Sequence, residues 1–240
     1  MRCAILGDIH GNFHAFEAVL EDIKSQGVEA ILCIGDIVGY AASPKECIQA
    51  VQEHCTRSVA GNHDYGAVDK INLAYFNADA RDALEWTKEQ LSKESLDYLA
   101  GLPFAAEFDE FFLVHSTPYY PEYFFYIQTL YDAGLAFKSL ERRLAFVGHS
   151  HVPIVFINTD PVDYFQVDEF DLPADQKVIL NVGSVGQPRD LDPRACYAVV
   201  DTKSSKVSLR RIEYDIGAAA EAILKAGLPR TNAQRLFLGR

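Results

Sequence analysis

Several features are scarce in this chain of 240 residues, and each scarcity removes a class of protein. No apolar run exceeds the length of a strand, so there is no candidate membrane span. The N-terminal stretch MRCAILGDIHG is broken by Asp8 and His10 too early for a secretory signal, and a cytoplasmic protein is expected. Basic residues are outnumbered, 22 Lys and Arg against 34 Asp and Glu, for a net charge of −12. A broad nucleic-acid surface needs clustered Lys and Arg, and only the separated pairs Arg142-Arg143 and Arg210-Arg211 occur. The five cysteines are odd in number and form no C-x-x-C pair, which excludes a disulfide framework and a thiolate metal site. Cys3, Cys33 and Cys196 lie inside apolar runs, where a thiol behaves as a small hydrophobe.

What is present reads as one globular unit over 1–240, with a hydrophobic share of 49%. Strand-like RCAILG, EAILCIG and TRSVAG alternate with helix-like FHAFEAVLEDIKSQG and SPKECIQAVQEHC. Phe13, Phe16, Val19, Leu20 and Ile23 keep helical spacing, while the runs between helices are short and continuous. This alternation implies parallel strands with crossover helices, and in such sheets function gathers at the carboxyl ends of the strands. A helical insert is expected over about 66–101, with Trp86, Leu91, Leu96 and Leu99 as buried anchors. The second half is strand-rich: PFAAEF, FFLVHS, LAFVGHS, PIVFIN, YFQVDEF, KVILNVG, CYAVVD and KVSLRRIEY. Helices are expected again at 131–140, 215–226 and 231–238. The fold class that follows is α/β: a four-layer α-β-β-α sandwich of two packed mixed sheets flanked by helices.

The residues that end the apolar runs form a pattern no fold requires. The first strand ends in Asp8-Ile9-His10, the second in Gly35-Asp36, and the third in Gly61-Asn62-His63-Asp64. FFLV ends in His115, and LAFV in Gly148-His149-Ser150-His151. Asp8 and His10, like His149 and His151, are two residues apart, which places each pair on one side of an extended chain. Oxygen and nitrogen donors without thiolates suit borderline to hard divalent ions. So many donors exceed one ion's needs, and Asp36, alone on its strand, is the natural bridge between two. His14 and His54 lie within helices and are set aside.

These motifs resemble the calcineurin-like metallophosphoesterase superfamily: DIHGN (8–12), GDIVG (35–39), GNHD (61–64), His115 and GHSH (148–151), in the family's order. The later NVGSVGQPRD (181–190) and DPRACYAVVD (192–201) resemble its bacterial branch of small YfcE-like phosphodiesterases. The resemblance implies two divalent or di/trivalent metal ions, such as Mn, Fe, Ni or Zn. One would be held by Asp8, His10, Asp36 and His151, the other by Asp36, Asn62, His115 and His149. It further implies two-metal activation of a bridging water, with His63 as general acid and Asp64 as the partner orienting its imidazole. HSTP (115–118) departs from the branch's usual HGSP, with Ser116 in place of glycine.

For substrate binding, the expectation falls on Asn12, Tyr40 and Arg189, with Tyr65 and the aromatic stretch YYPEYFFY (119–126) as further candidates for the pocket. The expected partner is a small phosphate-ester substrate, with no membrane and no nucleic acid. Phosphodiesters are the first expectation, phosphomonoesters or nucleotides the second. Related protein phosphatases carry an arginine where Tyr40 stands, and Ala60 replaces another before GNHD. A non-catalytic scaffold of the same fold is a different class of answer. Such a scaffold tolerates loss of the acid histidine, and His63 is intact here.

Overall fold

The computed structural model describes all 240 residues. It holds two six-stranded sheets. β1 (Arg2–Leu6), β2 (Ala30–Cys33) and β3 (Arg57–Ser58) pair in parallel, joined by helices α1 (Phe13–Lys24) and α2 (Pro44–His54). α3 (Asn62–Ala67), α4 (Ala78–Gln90) and α5 (Lys93–Gly101) follow, with a 3-10 turn at Leu73–Tyr75. The second sheet then begins with β4 (Ala105–Phe108) and β5 (Phe111–Val114), and continues through α6 (Leu130–Ser139), β6 (Leu144–Val147), β7 (Ile154–Ile157) and β8 (Asp163–Phe165). The chain goes on as β9 (Glu169–Asp171), β10 (Val178–Asn181), β11 (Ala195–Asp201), β12 (Lys206–Ile212), α7 (Ile216–Lys225) and α8 (Arg230–Leu238). Strand order is β3-β2-β1-β11-β12-β9 in one sheet and β4-β5-β6-β10-β7-β8 in the other.

Alternation along each strand sorts the core into layers. In β1, Cys3 and Ile5 face the second sheet, where they pack with Phe111, Leu113, Phe146 and Leu180. Their neighbours Ala4 and Leu6 face the helices, packing with Phe16, Val19, Ile48 and Val51. On the outer face of the second sheet, Ala145, Val147 and Ile179 are covered by Ala133, Ala136 and Phe137 of α6. The expected four layers are therefore present. α7 and α8 pack on one another and on Ala83 of α4 through Ala219, Ile223, Ala233 and Leu236. All five cysteines are free, and no helix is long and apolar enough to cross a membrane.

Three local expectations need correction. YFQVDEF is not one strand: β8 closes the edge of the second sheet and β9 that of the first, so the chain changes sheets between them. TRSVAG pairs as a strand only at Arg57 and Ser58, because the amide of Ala60 turns away to the carbonyl of Pro103. Within the helical insert, Leu91 and Leu99 are buried as expected, whereas Trp86 and Leu96 are only half-buried at its margin.

Candidate metal centre

The strands hand their pairing directly on to the loops beyond them. The amides of Asp8, His10 and Gly11 donate to the carbonyls of Gly35, Asp36 and Ile37, each at 2.9 Å. This ladder sets the loop after β1 beside the loop after β2. The Gly148 amide likewise bonds the His115 carbonyl at 2.8 Å, joining the ends of β5 and β6. Within these loops Asp8, His10, Asp36, Tyr40, His149 and His151 all have positive φ, between 49° and 67°. Each costs about 1–3 kcal/mol in a residue with a Cβ, and their concentration here marks a place where geometry is held against local preference. Gly61 has no alternative, since a Cβ there would collide with the Asp36 carboxylate.

The side-chain atoms able to ligate a metal fall into two groups that share one residue. Asp8, His10, Asp36 and His151 form the first, and Asp36, His115 and His149 the second, with donor atoms in each within 4.8 Å of one another. His10 Nε2 faces His151 Nε2 at 3.1 Å, and His115 Nε2 faces His149 Nδ1 at 3.2 Å. His151 Nε2 stands 3.2 Å from Asp8 Oδ1, and His115 Nε2 stands 3.2 Å from Asp36 Oδ2. The outer nitrogens are anchored by carbonyls: His10 Nδ1 on Val38, His115 Nδ1 on Ile34, and His151 Nδ1 on Gln187. Those bonds place the ring protons outside, so the inner lone pairs converge. The Asn62 amide oxygen is buried without a hydrogen-bond partner, as is His149 Nε2. A buried acceptor without a donor is costly. Convergent nitrogens, flanking carboxylates and an orphaned amide oxygen fit divalent cations.

Electrostatics agree. Burial holds the pKa of His10, His149 and His151 below the ordinary value, which keeps their nitrogens free to ligate. Burial also works against a charge on His115, but Asp36 and Asp8 outweigh it and raise the imidazole to about 9. The proton drawn to His115 marks where the two carboxylates want positive charge, which a cation supplies instead.

His63 is the second residue of α3, and its ring stands 4.7 Å from that of His10, 4.6 Å from that of Tyr40 and 5.1 Å from that of Phe76. Its backbone amide donates to Asp36 Oδ1 at 2.8 Å, and its Nδ1 is buried without a partner. Asp64 does not do what the sequence suggested. Its carboxylate accepts from the amides of Ile37 at 2.8 Å, Val38 at 3.2 Å and Gly61 at 2.9 Å. It therefore clamps the loop after β2 to the loop after β3, and the imidazole of His63 is held by packing.

Asn12 is also corrected. It caps α1 by accepting from Ala15, and its amide donates to the Gly186 carbonyl at 2.8 Å and to the Tyr214 hydroxyl, so no donor is left for a phosphate. Tyr65 belongs to the core, with its hydroxyl on the Leu102 carbonyl at 2.6 Å. Tyr40 does line a cleft of about 590 Å³ together with Asn62, His63 and His149. Asn72, Tyr75 and Phe76 form one wall of that cleft, and Tyr123, Phe124 and Tyr126 form another. Tyr126 lies flat on His149, its ring centre 3.8 Å away. Arg189 donates to Gln187 Oε1 at 2.8 Å and reaches the Tyr40 hydroxyl at 3.4 Å. The carboxylates that follow it in the chain are taken by other arginines: Asp190 pairs with Arg211, and Asp192 with Arg194.

Three supporting residues were missed. Asn181 bonds the Gly148 carbonyl, Ser184 the Asp8 carbonyl, and Gln187 the His151 ring. Asn181 ends the apolar run VIL, so the rule of polar residues ending a strand would have found it, whereas Ser184 and Gln187 lie further along the loop and carry no such signal.

The comparisons agree with this geometry. The calcineurin-like phosphoesterase superfamily domain matches residues 1–205. An uncharacterised protein of Methanocaldococcus jannaschii is 40% identical over 247 residues, covering 99% of this chain and 98% of the relative. The crystal structure of a metallophosphoesterase from Sphaerobacter thermophilus superposes with a TM-score of 0.89 at 37% identity, covering 100% of this chain and 99% of the other. That of a hypothetical protein from Pyrococcus horikoshii shares the fold, with a TM-score of 0.79 at 24% identity over 100% and 98% of the two chains. The class defined by the fold and the Asp and His cluster is that of the metallophosphoesterases. This chain belongs to the calcineurin-like phosphoesterase superfamily.

Proposed function

We propose that the protein hydrolyses phosphate esters, phosphodiesters in preference to monoesters, at a two-metal centre. The observation that carries this reading is the convergence of ligating atoms from separate strand ends on two groups that share Asp36. Asp8, His10, Asp36 and His151 would hold one ion; Asp36, Asn62, His115 and His149 would hold the other. When bound, such ions polarise phosphoryl oxygens and bring the pKa of a water near neutrality.

The protein's own side chains do the rest. His63 lines the 590 Å³ cleft with Nδ1 buried against Gly39, which leaves Nε2 as the ring nitrogen to protonate the oxygen of a leaving group lying there. Burial, only partly opposed by Asp36, lowers its pKa to about 4. The resting ring is therefore neutral and takes up its proton when an anionic phosphoryl group lies beside it. Tyr40 and Phe76 hold the imidazole from two sides. The preference for diesters follows the resemblance of NVGSVGQPRD (181–190) and DPRACYAVVD (192–201) to the branch of small phosphodiesterases.

The test is hydrolysis of bis(p-nitrophenyl) phosphate beside p-nitrophenyl phosphate, with the metal-free protein reloaded separately with Mn, Ni, Zn and Mg. A faster diester rate that vanishes in Asp36→Ala supports the reading; a faster monoester rate replaces it with a phosphomonoesterase. No turnover with any metal, despite bound ions, argues for a scaffold. His63→Ala should keep its metal and its rate with nitrophenyl esters within about tenfold, while losing about 100-fold or more with an alkyl leaving group that needs the proton. Equal losses on both esters would remove His63 from the acid role.

A further inference from the structure

The sequence lacks the arginine that related phosphatases carry at the position of Tyr40, yet two guanidinium groups arrive there from elsewhere in the chain. Arg189 comes from the loop after β10, with its guanidinium carbon 5.7 Å from the Tyr40 ring centre. Arg235 comes from α8, with its guanidinium carbon 5.9 Å from the same ring. Helix α8 lies outside the residues that match the family domain. It is nonetheless tied to the centre, because the buried Asn232 donates to the Tyr40 carbonyl at 3.3 Å. Tyr40 in turn touches the ring of His10 at 4.8 Å.

These two arginines differ from their neighbours. Arg142, Arg143, Arg194, Arg210 and Arg211 are each paired with a carboxylate. Arg189 bonds only the neutral Gln187 and Tyr40, whereas Arg235 donates to the main-chain oxygen of Arg240 at 2.7 Å, lies over the Tyr40 ring and is within the field of the Asp79 carboxylate. The Arg189 Nε is buried without any partner. Burial, followed by repulsion from Arg189, holds the pKa of Arg235 below the usual arginine range. The two guanidinium groups repel one another, Asp79 offsets the charge of Arg235 only in part, and Arg189 has no carboxylate bonded to it, so an anion bound between them would relieve the repulsion.

We infer that Arg189, Arg235 and the Tyr40 hydroxyl form a subsite for a second phosphoryl group, carried by the substrate on the arm that does not leave. Arg189, on the side of the metal ligands, also contacts the scissile phosphoryl, and Arg235 contacts only the group beyond it. Two guanidinium groups match the double charge of a terminal phosphoryl better than the single charge of a carboxylate. The substrate class is then an ester or diphosphate with two adjacent phosphoryl groups. Arg235 is a specificity residue for it. The inference rests on the proposed esterase centre for its orientation but is read by a measurement that needs no turnover.

Calorimetric titration of the manganese-loaded protein with inorganic phosphate, phosphonoacetate and methylenediphosphonate provides the test. Methylenediphosphonate should bind tightest. Arg235→Gln should weaken it by about tenfold or more, the worth of a charge-assisted hydrogen bond, while phosphate changes by less than about twofold. Arg235→Lys, which keeps the charge and the stem, should recover part of the loss and guards against a folding defect. Equal weakening of phosphate and methylenediphosphonate, or no change in either, overturns the subsite. Phosphonoacetate binding as tightly as methylenediphosphonate overturns the assignment to a phosphoryl group. Failure of the esterase reading would show instead as silence in the nitrophenyl assays with these affinities intact.

Discussion

Replacing Asp64 with asparagine separates two roles that the residue type alone allows. In the structure one carboxylate oxygen accepts from Ile37 and Val38, and the other from Gly61. Asparagine keeps one acceptor, but its NH2 group must then face an amide donor in a fully buried position. Losing a bond to a charged acceptor costs about 1.5–3 kcal/mol, and an unsatisfied buried donor adds about 1–3 kcal/mol. Against this, burial and the neighbouring Asp36 push the Asp64 pKa up to about 7, so removing the charge returns part of the loss. A net destabilisation of about 2–3 kcal/mol is expected. For a chain of this length it lowers Tm by about 4–12 °C. Melting the metal-free protein, so that altered ion binding does not contribute, measures the effect directly. Activity should fall as well, because the clamp sets Asp36 and Asn62 in register, but the shape of the pH–rate profile should persist. An unchanged Tm with a displaced limb of the pH profile would refute the clamp and return Asp64 to the imidazole of His63.

Asp36→Ala removes the residue common to both ligand groups, so metal analysis should find both ions weakened together, by about 100-fold or more; retention of one ion at full affinity would show that the groups are independent. At the other side of the first sheet, Asp22 takes a bidentate bond from Arg210 at 2.6 and 2.8 Å and the hydroxyl of the buried Tyr197 at 2.5 Å. Arg210, and then Tyr197, hold its pKa below the usual carboxylate range. The folded state thus keeps Asp22 charged where the unfolded chain has begun to bind protons, so this stabilisation is complete above about pH 4 and is lost as pH falls through the depressed value. Asp22→Asn should flatten that part of the acid limb in urea titrations and cost about 1–2 kcal/mol at neutral pH, and an unaltered acid limb would exclude the triad.

Much of this protein was determined by short-range rules acting on its sequence. The alternation of apolar runs with helical spacing set the strands and crossover helices of the first sixty residues. Alternation within each run divided Cys3 and Ile5 from Ala4 and Leu6. The polar residues that end those runs include all the Asp and His side chains that gather at the candidate metal centre, because a strand's carboxyl end is where a parallel sheet opens. Tertiary structure decided what depends on contacts between distant segments. YFQVDEF is strand-like at both ends, and only the two sheet edges available to it divided it between them. Asp64 follows His63 in the chain, yet its oxygens went to backbone amides that the pairing of β1, β2 and β3 brought within reach. Asn12 was drawn away from the centre by a helix cap and by Gly186, which lies 174 residues later in the sequence. The meeting of Arg189 and Arg235 at Tyr40 has no local signal at all, since it comes from docking α8 through Asn232 onto a loop 192 residues earlier. Residue type and spacing are local properties, whereas the partner that a polar side chain finds is settled by the packing of the whole chain.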